Sequence, residues 1–383
     1  MNLLVNATCL DKKVNTGIER YAYHLCKEIS KIDNSLTFYS SFSIPGVRNV
    51  KISTLLNATK NLLGNYEYYV RTVWDQIIFR FFVSRRKPDV VFFPIQDGMI
   101  YPKIKQIITV HDLHYFHFND SVTECRQEIS AIRRFFYRYK MPHILKRSCA
   151  IVAVSEATKL DIIDSFGISP EKIHVVYNGY DSERFHEAIN PIPVLKRLDL
   201  AGTKYFLFVG SILRHKNIVR LVQSLACLDP CTSLVIAGVC KDSAYLEEIM
   251  SASAELRSGR VRYLEYVAND DLPSLYQGAE ALVLPSLHEG FGVPIIEAMA
   301  CGTPVITSNC SAMPEVAGDA AILVNPFRVE SISDAMNEIL ENPLTAQKLK
   351  TAGLARAATF SWENSANKLY QLCQKVHDLN TIV

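Results

Sequence analysis

The sequence predicts an α/β protein made of two doubly wound parallel sheets, on three observations. Unbroken apolar runs such as Val90-Val91-Phe92-Phe93 and Ile151-Val152-Ala153-Val154 read as strands buried on both faces, as in a parallel sheet covered by helices. These runs alternate with helical stretches, lose the rhythm over residues 186–203 around Asn190-Pro191-Ile192-Pro193, and then resume. A chain of 383 residues also exceeds one compact core. The expected domains are therefore residues 1–190 and 200–360, with a linker between them.

In the first domain, strands are expected at 2–7, 36–40, 89–93, 106–110, 150–154 and 172–177. A helix over 18–30 carries one apolar stripe of Ile18, Tyr21, Leu25 and Ile29. The second domain repeats the plan with strands at 205–209, 233–238, 261–264, 281–284, 304–308 and 321–324. Residues 362–377 form a closing amphipathic helix. Two such domains are expected to face each other across a cleft lined by the carboxyl ends of their strands.

Composition narrows the class. Hydrophobic content of 49% with 21% charged residues suits a globular chain. No apolar run approaches the ~18 residues of a membrane span. Residues 1–10 lack a basic start and run into Asp11-Lys12-Lys13, so a first strand is expected there rather than a signal peptide. Ten cysteines without a C-x-x-C pair read as reduced thiols in the cytoplasm. Net charge is +2, but residues 1–190 carry 25 Lys/Arg against 19 Asp/Glu and the remainder 16 against 20. A basic first half and a mildly acidic second half imply different partners.

The most informative stretch is His288-Glu289-Gly290-Phe291-Gly292-Val293-Pro294, followed by Glu297 and Gly302. It follows the apolar run 281–284, and Gly290 and Gly292 permit a tight turn close to a ligand. Pro294 suits the first turn of a helix from Val293 to Cys301 that Gly302 stops. Strand, glycine loop and helix start together make an anion site of free N–H groups. Two carboxylates eight residues apart are not needed by phosphate, which they repel; they suit hydroxyls. A ligand with phosphates in the middle and polyols at both ends, a nucleotide-sugar, fits both halves.

Other residues join this site. Gly210-Ser211-Ile212-Leu213-Arg214-His215-Lys216-Asn217 closes the first strand of the second domain and sets Arg214 and Lys216 where a diphosphate would lie. Gly17 and Ile18 start the first helix, where main-chain N–H groups can approach the same anion; no G-x-G-x-x-G or P-loop is present. Thr109-Val110-His111-Asp112-Leu113 ends a buried strand with a polar pair. His111, His114 and His117 do not share one face of a strand and have no cysteine or glutamate cluster beside them, so no metal is expected. Residues 71–87 and 126–147 interleave cations with aromatics, a pattern for helices on an anionic membrane leaflet or for core helices with a wet basic face. No nucleic-acid module is visible.

The region 282–325 resembles the donor site of the retaining glycosyltransferases of family 4, which have the GT-B fold, and the similarity extends over nearly the whole chain. The resemblance implies that residues 361–383 pack back on the first domain. It assigns His111 to the transferred sugar, Glu289 to hydroxyls of that sugar and Glu297 to the ribose. Gly290, Phe291, Gly292 and Val293 supply the loop, and Tyr266 and Val267 border the base. Relatives often carry Arg after the first glycine, where this chain has Ser211, and Glu-Pro-Arg-Lys-Asn in place of Leu213-Arg214-His215-Lys216-Asn217. Val154-Ser155-Glu156 and Tyr177-Asn178-Gly179-Tyr180-Asp181 match further landmarks, read equally as caps and turns.

No carboxylate pair suits double displacement. The resemblance therefore implies a same-face transfer in which the leaving diphosphate takes the acceptor's proton, with no cofactor and no metal. Similarity to bacterial polysaccharide mannosyltransferases implies GDP-mannose as donor and a lipid-linked oligosaccharide of O-antigen or capsule synthesis as acceptor, at the inner face of the plasma membrane. The alternatives are a UDP-sugar donor or a non-catalytic nucleotide-sugar-binding protein. A pyridoxal-bearing phosphorylase lacks its lysine site here, and an epimerase lacks the paired-glutamate loop.

Overall fold

The computed structural model describes residues 1–10, 17–40, 49–51, 73–113 and 131–379, without the side chains of 49–51 and 131–137. It divides into two compact units. The first comprises the described parts of Met1–Leu113, Glu128–Gly179 and Ser361–Val383, and the second comprises Tyr180–Phe360.

Seven parallel strands form the first unit's sheet: β1 (Leu3–Asn6), β2 (Thr37–Ser40), β3 (Asn49–Lys51), β4 (Val90–Phe93), β5 (Lys105–Val110), β6 (Ala150–Ala153) and β7 (Ile173–Val175). Their spatial order is β3-β2-β1-β4-β5-β6-β7. Its helices are α1 (Gly17–Ile32), α2 (Arg80–Arg86), which continues a π-helical turn at Asp75–Phe79, α3 (Ala131–Arg147) and α4 (Glu156–Phe166). The second unit has six parallel strands: β8 (Tyr205–Val209), β9 (Ser233–Ala237), β10 (Val261–Leu264), β11 (Ala281–Leu284), β12 (Val305–Ser308) and β13 (Ile322–Val324). They are ordered β10-β9-β8-β11-β12-β13. Around them run α5 (Ile192–Arg197), α6 (Ile218–Ser224), α7 (Ser243–Ala254), α8 (Leu272–Gly278), α9 (Val293–Ala300), α10 (Met313–Ala317), α11 (Val329–Glu341) and α12 (Pro343–Ala357).

Each sheet is thus the doubly wound plan predicted from the apolar runs. Val90 to Phe93 and Tyr205 to Phe208 are each at most 1% exposed because helices cover both faces. Strand order reverses once per sheet, between β1 and β4 and between β8 and β11. Crevices at such points, beyond the carboxyl ends of the strands, are where open α/β sheets take ligands.

The expected strands lie within two residues of the observed ones. β3 is the one the apolar pattern misses, because Asn49-Val50-Lys51 offers a single apolar residue. In the first helix Tyr21, Leu25 and Ile29 are buried as the stripe predicts, but Ile18 is 37% exposed because the helix begins at Gly17. The linker expected at 186–203 is instead structured. It holds α5, and Phe185, Leu195 and Leu200 are buried in the second unit, so the division falls between Gly179 and Tyr180.

The closing helix α13 (Trp362–Asp378) belongs to the first unit. Ser361 caps it by accepting from the Asn364 N–H. Trp362, Ala366, Leu369, Cys373 and Val376 recur at helical spacing and are buried. The Trp362 ring stacks on His24 of α1 at 5.6 Å, and the Ser365 hydroxyl donates to the Tyr177 carbonyl at 2.6 Å. A Cβ on Gly179 would lie 2.3 Å from the Trp362 nitrogen, so a glycine is needed where α13 begins.

Candidate functional site

The second unit builds the larger cluster at its own switch point. The loop after β8 turns through a 3-10 helix at Arg214–Lys216, and Asn217 then takes a left-handed conformation (φ 60°) to start α6. The loop after β11 carries Ser286 to Gly292 and enters α9. These two loops are fastened together. The Leu287 N–H donates to the His215 carbonyl at 2.7 Å. Buried Asn217 donates from Nδ2 to the carbonyls of Pro285, 3.0 Å away, and Pro326, 2.6 Å away.

Across this seam Lys216 Nζ lies 2.5 Å from Oε1 of Glu289. The same oxygen accepts from the Ser286 hydroxyl at 2.7 Å. Both side chains are largely covered, 16% exposed for Lys216 and 13% for Glu289, so solvent screens this pair less than a surface one. Gly290 is buried, and Phe291 packs edge-on against Phe360 at 5.6 Å. Gly292 has φ 94°, a left-handed turn that a side chain disfavours, and it hands the chain to α9 with Pro294 in the first turn. No side chain caps this helix start.

Glu297 sits in α9, 4% exposed, and its Oε2 accepts from the Tyr276 hydroxyl of α8 at 3.0 Å. Tyr276 is itself fully buried, with Phe185 edge-on to its ring at 6.0 Å. The paired glutamates therefore have different surroundings: Glu289 is tied to a cation in the loop, and Glu297 to a phenol beneath the helix.

Arg214 and Lys216 also separate. The Arg214 guanidinium takes Glu248 of α7 through two hydrogen bonds of 2.9 and 2.5 Å. Its Nε lies 3.5 Å from Asp242, and the group stands 5.2 Å from the Tyr245 ring centre. The Glu248 hydrogen bonds push its pKa above the usual value for arginine. Its charge is thus balanced by carboxylates on and beside α7, whereas the partner of Lys216 is the Glu289 loop. After β10, Tyr266 is 72% exposed and Val267 half-buried.

The remaining candidates lie in the first unit. Gly17 and Ile18 are exposed at the start of α1, and a Cβ on Gly17 would meet nothing within 4 Å. His111, 8% exposed, directly follows β5; its Nε2 donates to the Pro94 carbonyl at 2.9 Å. A carbonyl can only accept, so Nε2 carries the proton and Nδ1 keeps its lone pair. Tyr21 packs edge-on to the ring at 4.6 Å, and burial holds the His111 pKa below its ordinary value. Ser155 caps α4 by accepting from the Thr158 N–H, the structural role foreseen as one of its two readings.

Among the described residues no group of three His, Cys, Asp or Glu could hold a metal ion. His114 and His117 lie outside the described residues, as does part of the 126–147 stretch. Within that stretch Lys140 is not a surface cation: it is buried and pairs with Asp97 at 2.9 Å. In the 71–87 stretch Phe79 joins the core, while Ile77 (62%) and Phe81 (57%) are exposed, with Arg85 4.2 Å above the Phe81 ring. Among the described residues no helix is long and apolar enough to cross a membrane. Sequence reasoning missed Tyr276, Ser286 and Ser311 as partners of the glutamates, because nothing in their spacing distinguishes them from ordinary helix and loop residues.

The second unit thus brings a glycine loop, a lysine and two differently held glutamates to one switch point. The family model described as "Glycosyl transferases group 1" matches residues 196–356, and "Glycosyltransferase Family 4" matches residues 15–184. The chain is 32% identical over 267 residues to O-antigen chain mannosyltransferase B of Escherichia coli, covering 68% of each chain. It is 33% identical over 238 residues to O-antigen chain mannosyltransferase RfbU of Salmonella typhimurium, covering 62% of each. Sucrose-phosphate synthase of Thermosynechococcus elongatus has a similar structure, with a TM-score of 0.75 at 19% identity over 98% of both chains. Anabaena Alr3699/HepE, solved with UDP and glucose, gives 0.73 at 17% identity over 98% of this chain and 100% of its own. The chain belongs to the family 4, group 1 glycosyltransferases and has their GT-B fold.

Proposed function

We propose that this glycosyltransferase moves mannose from GDP-mannose onto a lipid-linked oligosaccharide in the synthesis of a cell-surface polysaccharide such as an O-antigen. The observation that carries the reaction class is the Lys216–Glu289 pair at the β8/β11 switch point. It sets a cation suited to a diphosphate, in the loop after β8, against a carboxylate suited to sugar hydroxyls, in the loop after β11. The choice of mannose is supported by the names of the two O-antigen relatives.

In this reading Lys216 and the N–H groups entering α9 hold the diphosphate and stabilise its charge as the glycosidic bond breaks, an effect worth roughly 3–4 kcal/mol per donor in comparable sites. Glu289 takes hydroxyls of the transferred sugar, Glu297 those of the ribose, and Tyr266 and Val267 border the base. Neutral His111 offers its Nδ1 lone pair to a sugar hydroxyl. The departing diphosphate takes the acceptor's proton, and no metal is needed because lysine and main-chain dipoles offset its charge. Exposed Ile77 and Phe81 with Arg85 and Arg86 suit an anionic leaflet beside a lipid-borne acceptor.

The test is thermal unfolding with GDP, GDP-mannose, UDP and several UDP-sugars, each with and without EDTA. A ligand at about 100 times its Kd adds about 2.7 kcal/mol. Stabilisation by GDP and GDP-mannose, indifferent to EDTA, is expected. Stabilisation by UDP species alone overturns the donor; a response abolished by EDTA overturns metal-free binding.

A further inference from the structure

Ser311 is the point of departure. It is one of four non-glycine residues with positive φ among the described residues, at 55°. A left-handed conformation is uncommon for serine and persists where its surroundings over-determine it. What Ser311 does there is specific. Its hydroxyl donates to the Glu289 carbonyl at 2.7 Å and accepts from the Glu289 N–H at 3.3 Å, so one side chain holds both main-chain groups of that residue.

The Glu289 carboxylate is held separately. Its Oε1 accepts from Lys216 at 2.5 Å and from the hydroxyl of fully buried Ser286 at 2.7 Å. Ser286 is fixed in turn, since its carbonyl accepts from the Ser308 hydroxyl at 2.7 Å. Among the described residues Oε2 of Glu289 has no hydrogen-bond partner. A carboxylate oxygen so placed is an acceptor whose direction is set before any ligand arrives.

We infer that Ser286 and Ser311 are positioning residues for Glu289: together they aim its Oε2 at a hydroxyl of the transferred sugar and set how strongly the protein prefers a nucleotide-sugar over the bare nucleoside diphosphate. This rests on the reading of Glu289 as the sugar-binding carboxylate. The two serines touch the main chain and the far oxygen of Glu289, so they act through that residue.

The experiment measures, by calorimetry on the full chain, the Kd of GDP and GDP-mannose, and of UDP and UDP-glucose, for Ser311→Gly, Ser311→Ala, Ser286→Ala and the unsubstituted protein. Glycine accepts φ 55° without strain, so Ser311→Gly removes the hydroxyl while leaving the backbone at ease. The expected result is a fivefold or greater loss of preference for the nucleotide-sugar in every variant. The Kd of the bare diphosphate should stay within about twofold, and kcat should fall more than KM rises, since misaimed contacts are felt most in the transition state. An unchanged preference in Ser311→Gly overturns the inference, as does equal weakening of diphosphate and nucleotide-sugar. If the unsubstituted protein binds no nucleoside diphosphate, the donor-site reading itself falls and this inference with it.

Discussion

Lys216 Nζ stands 2.5 Å from Oε1 of Glu289, joining the loop after β8 to the loop after β11 across the point where strand order reverses. One contact thus fastens the seam of the sheet and prepares two groups that a sugar diphosphate would share.

Removing either partner leaves the other charge largely covered and unpaired. Lys216→Met or Glu289→Gln is expected to lower stability by about 2 kcal/mol and kcat/KM by more than about a hundredfold. In a double-mutant cycle by urea unfolding, the double variant should lose less stability than the two singles combined. Simple additivity would show that the contact is not an energetic pair.

Arg214 should matter less than Lys216, although the sequence sets them two residues apart. Its guanidinium is engaged by Glu248 and Asp242, and the Glu248 side chain is 50% exposed. Arg214→Ala is expected to cost under about 1 kcal/mol of stability and to reduce kcat/KM by less than about tenfold, against the hundredfold set for Lys216. Steady-state kinetics of the two variants side by side decide the point.

Tyr276→Phe removes the phenol that donates to the buried Glu297 carboxylate and changes little in volume. Removing one hydrogen bond from a buried carboxylate costs about 1–3 kcal/mol, and loosening Glu297 should weaken nucleoside diphosphate and nucleotide-sugar alike. Equal binding by this variant and the parent, measured calorimetrically, would detach Tyr276 from the nucleotide.

Acid should weaken the protein partly through His111. Burial holds its pKa below the ordinary 6.5, so on acidification the unfolded chain takes up this proton before the folded protein does. The stability is fully present above pH 6.5 and is lost as the pH falls from there through the folded value. His174, lowered for the same first cause, adds to the effect. His111→Gln should therefore lose less stability than the parent between pH 7.5 and pH 5.5 in urea titrations; identical losses would rule His111 out.

The fold was largely legible because buried parallel strands must be apolar on both faces, and such runs stand out: Tyr205-Phe206-Leu207-Phe208-Val209 coincides with β8. The short edge strand β3 escaped because an edge needs little apolar surface, and α5 escaped because proline-bearing Asn190 to Pro193 resembles a linker while Leu195 packs into a core. The glycine loop and α9 were legible for a local reason. Gly292 at positive φ, Pro294 in the first turn and Gly302 after the end are requirements of a single turn of chain.

By itself the sequence determined the alternation of strands and helices and the glycine loop that enters α9, both properties of neighbouring residues. Only the tertiary structure decided the partners. It set Lys216 on Glu289 and Arg214 on Glu248, buried Lys140 against Asp97, placed Tyr276 beneath Glu297 and turned the Ser311 hydroxyl onto the Glu289 main chain. The physical reason is that strand order brings loops far apart in sequence to one sheet edge, and a charged side chain takes its environment from whatever that order sets beside it.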